Sequence, residues 1–199
     1  KTHFVCWGAK VQGHPEFTIR SNNQQGGRLA GEHLLKLGRK SFAFIGNASE
    51  HSPEFFERYQ GFIQALSVQN IKAEAVPQYD AISTEQAGFD ATLKLLAAGH
   101  QPDAIFAASD LIAIGAIRAL KEKGILVPEQ VAVVGYDDIP VASFANPPLT
   151  TIKQNTQLAG EILVESLLKL IRGQAVGPQL IPTTLVVRSS CGIDHALLG

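Results

Sequence analysis

The chain has 199 residues, of which 45% are hydrophobic and 18% are charged, a composition that fits a globular protein and excludes a disordered or fibrous one. A chain of this length can bury a sizeable core, as one domain or as two small ones. The net charge of −1 offers no basic surface for nucleic acid or for an anionic membrane, and no apolar run approaches the roughly 20 residues of a membrane span.

Short apolar runs alternate with amphipathic segments along most of the chain. The runs predict strands, and the amphipathic segments, several of them preceded by Ser, Asn or Asp as possible caps, predict helices. Gly38 follows one helix pattern and is expected to end it in the left-handed conformation. The predicted strands cover residues 3–7, 17–19, 41–46, 72–76, 104–108, 131–134, 149–152 and 180–187. The predicted helices cover residues 28–37, 54–68, 84–98, 110–123 and 156–172, with Ser83 as the expected cap of the third and Ser109 or Asp110 as that of the fourth.

This order of elements predicts an α/β fold with a doubly wound, mainly parallel sheet. The block of alternating strands and helices forms one lobe that is largely complete. The first 20 residues and the helix after Gln154 are separated from that block and predict part of a second lobe. We expect residues 1–20 to lie in this partial N-terminal lobe and residues 21–152 in the C-terminal lobe. Residues 153–178 then form a crossover and a helix of the N-terminal lobe, and residues 179–199 return to the C-terminal lobe as its tail.

The usual catalytic and metal-binding motifs are missing from the sequence. It has no G-x-G-x-x-G after a strand, no phosphate-loop lysine motif and no G-x-S-x-G nucleophile turn. The six histidines have no metal-binding spacing, and His33 is expected to be a core residue because it lies on an apolar helix face. Cys6 and Cys191 are far apart, and we favour two free thiols over a disulfide. We expect no cofactor and no metal.

Two adjacent carboxylates, Asp137 and Asp138, follow the strand at residues 131–134. An acid–base role for the pair is an alternative, but adjacent residues after a strand point apart, and we expect no enzymatic activity. Asp138 is equally well explained as the cap of a short helix near residues 141–144.

Polar side chains occupy the expected carboxyl edge of the sheet, where ligands bind in open α/β folds. Asp137, Ser109 and Gln154 each follow a predicted strand, and Arg58 lies early in the helix after another strand. A carboxylate accepts hydrogen bonds from hydroxyl groups, and a guanidinium donates several in a fixed fork. Together these residues predict a binding site for a neutral polyol.

Each of these residues also has a plain structural interpretation. Arg58 could pair with Glu54 or Glu57 on the surface of its helix. Ser109 could serve only as a helix cap, and Gln154 could lie on the surface of a hinge. The sequence leaves these alternatives open.

The motifs along almost the whole chain resemble the sugar-sensing domain of the LacI/GalR family of bacterial transcription regulators. Any one motif is weak evidence, but all of them in this order are specific. They are GGRLA (26–30), EHLLKLG (32–38), FAFIG (42–46), ERYQGF (57–62), PDAIFAASD (102–110), VGYDDIP (134–140), PLTTI (148–152) and PTTLVVRS (182–189).

The resemblance implies a type I periplasmic-binding-protein-like fold with two lobes. A small effector, a sugar or a nucleoside, binds between the lobes and alters the affinity of an N-terminal helix-turn-helix for operator DNA. Family members contact the effector through residues that match Arg58, Ser109, Asp137 and Gln154 of this chain. Gly8 stands where many members carry an aspartate, which removes one possible ligand group.

The resemblance also implies a homodimer in the cytoplasm, without membrane contact. The family dimerises through the helix after the S-D step and the loop before P-P-L, which here gives Ile114, Phe144 and Ala145 as interface residues.

The N-terminal part of the family pattern is missing from this sequence. The chain begins Lys1-Thr2-His3 without a methionine or a secretory signal, and it contains neither the helix-turn-helix nor the first three βα units of the N-terminal lobe. We therefore expect a fragment that would bind operator DNA only through a segment outside this chain. The alternative function is a periplasmic sugar-binding protein of a transporter, which shares the fold.

Overall fold

A computed structural model describes residues 2–8, 14 and 17–192, which fall into two compact units. The smaller unit contains the residues up to Asn22 together with Gln154–Thr183. The larger unit contains Asn23–Lys153 and the residues from Thr184 onward. The predicted α/β class with mostly parallel sheets is confirmed.

The strands and helices follow one another in the expected alternation. In chain order the strands are β1 (Cys6–Trp7), β2 (Thr18–Ser21), β3 (Phe42–Ile45), β4 (Gln78–Tyr79), β5 (Ala104–Ala107), β6 (Ala132–Asp137), β7 (Thr150–Lys153), β8 (Gln179–Ile181) and β9 (Thr184–Val186). The helices are α1 (Asn23–Lys36), α2 (Pro53–Ser67), α3 (Glu85–Ala97), α4 (Asp110–Glu122) and α5 (Thr156–Ile171). Gly38 ends α1 with a φ of +77°, as predicted.

The sheet of the larger unit has the strand order β4-β3-β5-β6-β7-β9 and is parallel except for β9. From β3 the chain moves one way across the sheet to β4, and from β4 it passes back beyond β3 to β5. Right-handed connections then place α2 on one face and α3 and α4 on the other. The strand order thus reverses between β3 and β5, and ligands bind beside the carboxyl ends of strands at such a reversal.

Glycines let α1 and α2 pack with their backbones in contact. A Cβ atom on Gly27 in α1 would lie 1.9 Å from the backbone oxygen of Arg58 in α2. A Cβ atom on Gly61 in α2 would lie 1.9 Å from the backbone oxygen of Gln24 in α1. This close packing brings Asn23, the first residue of α1, beside Arg58.

The smaller unit is a parallel sheet of β1, β2 and β8 with α5 packed against it. Its core contains Ile19, Ala159 and Ile181. Val164 and Ile171 of α5 are more than half exposed, so the described part of this unit buries little of its apolar surface.

One predicted strand is wrong. Residues 72–76 alternate between polar and apolar side chains, but they contain a 3₁₀ turn at Ala73–Ala75, and the strand is β4, two residues further on. Of those five residues only Val76 is buried, so the alternation does not correspond to one buried face of a sheet.

A second difference concerns the predicted strand at residues 180–187 and the boundary at residue 179. The segment divides into β8, which pairs with β2, and β9, which pairs with β7 in the other sheet. Pro182 lies between them and has no N–H group with which to continue a ladder. The chain consequently returns to the larger unit at Thr184.

Gly27→Ala is expected to lower the free energy of unfolding by about 1–3 kcal/mol, because the added methyl group overpacks the contact between α1 and α2. The matched control is Gly160→Ala in α5, where a Cβ atom would meet no atom within 4 Å. That variant is expected to gain up to about 1 kcal/mol from its higher helix propensity. Urea unfolding followed by circular dichroism measures both, and equal effects in the two variants would contradict the packing described above.

Candidate functional site

Arg58 of α2 points into the protein rather than toward solvent. Its Nε donates a hydrogen bond of 2.9 Å to Oδ1 of Asn23, and its Nη1 donates one of 2.6 Å to the backbone oxygen of Ala108. Only 6% of its side chain is exposed. Arg58 is therefore not a surface residue paired along its own helix with Glu54. A guanidinium has more N–H donors than these two bonds use, so it can also contact a ligand.

The ring of Tyr136 stacks against the Arg58 guanidinium. The Cζ atom of Arg58 lies 3.7 Å from the centre of the Tyr136 ring, a distance at which a cation is attracted to the face of the ring. The ring is fully buried, and a Cβ atom on Gly26 of α1 would lie 2.5 Å from its hydroxyl oxygen. The glycine thus leaves space for the ring, and the ring in turn fixes the plane of the guanidinium.

Asp137 ends β6 beside Arg58. Its Oδ1 lies 3.7 Å from Nη1 of Arg58, and 28% of its side chain is exposed. Its φ of +114° and the φ of +59° at Asp138 are left-handed values that cost of the order of 1–3 kcal/mol for a residue with a side chain. Such strain concentrates at functional sites, and here it forms the turn that presents a carboxylate next to a buried cation.

Asp138 has a different role from the one predicted. The 3₁₀ turn Pro140–Phe144 begins after Ile139 and has no side-chain cap. Asp138 instead accepts a hydrogen bond of 2.7 Å from Nη2 of Arg188 and lies 4.0 Å from Nζ of Lys153. The prediction of a capping residue is wrong because charge pairing with the C-terminal segment, which is distant in sequence, takes precedence.

Ser109 is the cap of α4. Its hydroxyl oxygen accepts a hydrogen bond from the backbone N–H of Ile112 at 3.4 Å, and Ser83 donates another at 2.8 Å. Only 1% of the residue is exposed, which favours the structural interpretation. Ser83 consequently does not cap α3, whose cap is Thr84. Ser109 follows Ala108, whose carbonyl group holds Arg58, so it lies at the same edge of the sheet.

Gln154 belongs to the smaller unit, where its Oε1 accepts a hydrogen bond of 2.6 Å from the Ser21 hydroxyl. The structure thus brings Arg58 and Asp137 together in the larger unit, with Ser109 nearby. The ligand-binding role of Gln154 stays a prediction.

The predicted dimer residues differ in exposure. Phe144 is 85% exposed, which is unusual for a large aromatic side chain. Ile114 and Ala145 are partly buried against the core of their own unit. Of the three, Phe144 therefore has the most apolar area available to a partner.

The contacts of Asn23 and Tyr136 with Arg58, and the burial of Asp110, were not predicted from the sequence. Asn23 lies before the predicted first helix, and Tyr136 is one residue of the VGYDDIP motif, and neither position by itself indicates a contact with Arg58. Asp110, the first residue of α4, is fully buried. Burial raises the pKa of its carboxyl group to about 7, the nearby Asp137 and Asp138 add to the rise, and hydrogen bonds from Thr151 and Ile139 oppose it.

Other chemistry is sparse in the described residues. Cys6 and Cys191 are both free thiols, and burial raises the pKa of the Cys191 thiol to about 12, which keeps it protonated and unreactive. Among residues 2–8, 14 and 17–192, no group of three or more His, Cys, Asp or Glu side chains is placed to hold a metal ion. None of the helices in that part of the chain is both long and apolar enough to cross a membrane.

A family model described as periplasmic binding protein-like domain matches residues 32–191. The chain belongs to this family. The lactose operon repressor of Escherichia coli (strain K12) is 39% identical over 180 residues, which cover 88% of this chain and 48% of the repressor. The chain spans about half the length of the curated relatives it matches.

Solved structures of LacI-family proteins share the fold. A LacI-family transcriptional regulator from Enterococcus faecium with bound ribose has a TM-score of 0.85 and 29% identity, covering 96% of this chain and 70% of the regulator. The lac repressor dimer bound to operator and an anti-inducer has a TM-score of 0.80 and 37% identity, covering 88% of this chain and 53% of the repressor. The predicted periplasmic-binding-protein-like fold and the resemblance to LacI-type regulators are therefore confirmed.

Asp110 is expected to make the stability of the protein depend on pH. Its pKa is raised in the folded state, so its contribution to stability is complete below the unfolded pKa of 3.8 and is lost as the pH rises through about 7. Asp110→Asn removes the titrating group, so only the wild type loses this stability as the pH rises. The variant should therefore become more stable relative to the wild type between about pH 4 and pH 7. The limit of this increase is about 4 kcal/mol, from about 3 pKa units at 1.36 kcal/mol each. Urea unfolding at a series of pH values measures the difference, and a constant difference would contradict the burial of an ionisable Asp110.

Proposed function

We propose that this chain is the effector-sensing part of a LacI-type transcription repressor and that it binds a neutral sugar at the carboxyl edge of the larger sheet. Asp137 accepts hydrogen bonds from sugar hydroxyl groups, and Arg58 donates hydrogen bonds to sugar oxygens. Effector binding changes the affinity of the whole protein for operator DNA. Ser109 and Gln154 remain additional ligand-binding candidates.

The observation that carries this proposal is the buried Arg58 beside the strained, partly exposed Asp137. The guanidinium is held in place by Asn23, Ala108 and Tyr136, so it needs no reorganisation when a ligand arrives. The carboxylate and the cation compensate each other at 3.7 Å. A site that contains one acceptor and one donor of opposite charge suits a neutral ligand with several hydroxyl groups better than an anion or a cation.

The relatives support regulation over transport. Several of the curated relatives are named as transcriptional repressors, and the lac repressor structure is a dimer bound to operator. The ribose-bound neighbour supports a sugar as the effector. A nucleoside carries the ribose hydroxyl groups other than the anomeric one, which the base replaces, and is the alternative ligand class within this function.

Asp137→Asn is expected to weaken sugar binding by about 30-fold, because losing a charged hydrogen-bond acceptor costs about 2 kcal/mol or more. Isothermal titration calorimetry of the protein in its full length measures this, with ribose, cellobiose and adenosine as representatives of a pentose, a disaccharide and a nucleoside. The substitution keeps the shape of the side chain, whereas Arg58→Ala would also leave Asn23 and the Ala108 carbonyl group without their buried donor and so lower stability.

The matched control is Asp103→Asn, the same change at a carboxylate just before β5, at the opposite end of the sheet, where it accepts hydrogen bonds from the backbone N–H groups of Lys40 and Ser41. It is expected to retain affinity within about threefold while losing up to about 1 kcal/mol of stability. Wild-type affinity in Asp137→Asn, or an equal loss in both variants, would refute the assignment of Asp137.

We further propose that the protein is a homodimer and that Phe144 lies in the interface, with Ile114 and Ala145 near it. Burying a phenylalanine contributes about 1.5–3 kcal/mol, so Phe144→Ser is expected to raise the dimer dissociation constant at least about tenfold. Sedimentation velocity over a range of concentrations measures the constant. Val68→Ser is the control, because Val68 is 76% exposed at the end of α2 and belongs to no predicted interface. A monomeric wild type, or equal effects of the two substitutions, would contradict this proposal.

A further inference from the structure

Asp110 joins three segments at the end of the sheet where Asp137 lies. One oxygen of its carboxyl group, Oδ2, accepts a hydrogen bond of 2.9 Å from the backbone N–H of Ile139. Ile139 directly follows the turn formed by Asp137 and Asp138, which is called the Asp137 turn below. The other oxygen, Oδ1, accepts one from the Thr151 hydroxyl on β7. The helix α4, the turn after β6 and the strand β7 are thus connected through a single buried side chain.

The sequence of β6 leaves space for this carboxyl group. A Cβ atom on Gly135 would lie 2.4 Å from Oδ1 of Asp110, so any other residue at that position would displace the carboxyl group. Gly135 is the second residue before Asp137. The contact therefore places Asp110 directly against the strand end that presents the proposed sugar acceptor.

Two sets of contacts hold the Asp137 turn. Both of its carboxylate residues have positive φ values, so its backbone is strained and relaxes unless other groups hold it. Arg188 and Lys153 pair with Asp138. Asp110 accepts a hydrogen bond from the N–H group of the next residue, Ile139.

The charges around Asp110 oppose its ionisation. Asp137 and Asp138 are near enough to disfavour its charged form, and their partners Arg58, Arg188 and Lys153 compensate those two carboxylates in part. Burial raises the pKa of Asp110 to about 7, and the two carboxylates add to the rise. Opening the turn would expose the Asp110 carboxyl group to water and would lower its pKa toward the ordinary value. Binding of a proton to Asp110 therefore favours the closed turn, which loses stability as the pH rises through neutrality.

We propose that Asp110 is a positioning residue for Asp137, which in its neutral form holds the turn closed and in its ionised form loosens it. The expected consequence is that sugar affinity decreases between about pH 6 and about pH 8, and this consequence rests on the proposed function. The holding of the turn itself does not depend on any ligand.

The first test needs no ligand. Hydrogen exchange of the Ile139 amide, measured by NMR and corrected for the intrinsic rate, is expected to show a protection factor that falls up to about tenfold from about pH 6 to about pH 8. The internal control is the amide of Ser41, which donates to Asp103 at the opposite end of β5 and should not change in this way. A protection factor of Ile139 that is independent of pH overturns the proposal.

The second test uses three substitutions and the calorimetric titrations with ribose, cellobiose and adenosine. Asp110→Asn keeps an acceptor for Ile139 and provides a donor for Thr151, so it should bind the sugar at both pH values as tightly as the wild type does at the lower one. Asp110→Ala loses both hydrogen bonds and should bind at least about fivefold more weakly at both pH values. Thr151→Val removes a hydrogen bond that lowers the pKa of Asp110, so the midpoint of the pH profile should move upward.

The outcomes separate this inference from the proposed function. If none of the three ligands binds the wild type, the choice of effector fails, and the exchange of Ile139 still decides the role of Asp110. If a ligand binds but Asp110→Ala retains wild-type affinity at both pH values, the positioning role is overturned while the proposed function stands. Asp103→Asn, which loosens a loop at the opposite end of β5, controls for a general loss of rigidity and should leave the pH profile unchanged.

Discussion

The burial of the Arg58 guanidinium is the constraint on which the rest of the larger unit depends. A buried cation is tolerated only where hydrogen bonds and opposite charge replace its lost hydration. Asn23, the Ala108 carbonyl group, the Tyr136 ring and Asp137 provide these, and they come from α1, the end of β5 and the end of β6. The glycines of α1 and α2 are required because Asn23 reaches Arg58 only when the two helices pack with their backbones in contact.

The same edge of the sheet also contains neighbouring carboxyl groups and a strained turn, which both destabilise the folded protein. Asp110, Asp137 and Asp138 lie close enough for the last two to raise the pKa of the first, and the turn between β6 and the following 3₁₀ turn has two residues with positive φ. Arg58, Arg188 and Lys153 offset part of the repulsion. A fold selected for stability alone would place a neutral residue at position 110. We interpret the strained, charged turn as the consequence of presenting a carboxylate to a ligand.

Much of the fold could be predicted because it follows from local patterns. The buried runs at β3, β5 and β6 and the capped helices between them indicate parallel βα units, and the end of α1 follows from Gly38. The pairing of Arg58 with Asn23 could not be predicted, since it depends on how two helices pack. Asp138 was misassigned for a similar reason, because its partner Arg188 is 50 residues away. The division of residues 180–187 between two sheets depends on which strands are neighbours, which alternation does not reveal.

The most direct test of the central claim is a crystal structure of the protein in its full length with the sugar that binds most tightly in the titrations. We predict sugar hydroxyl groups within about 2.6–3.2 Å of an oxygen of Asp137 and a sugar oxygen within the same distance of a nitrogen of Arg58. Arg58 should keep its hydrogen bonds to Asn23 and to the Ala108 carbonyl group, because the site is already organised without the ligand. A sugar bound elsewhere, or one that contacts neither Arg58 nor Asp137, would contradict this account.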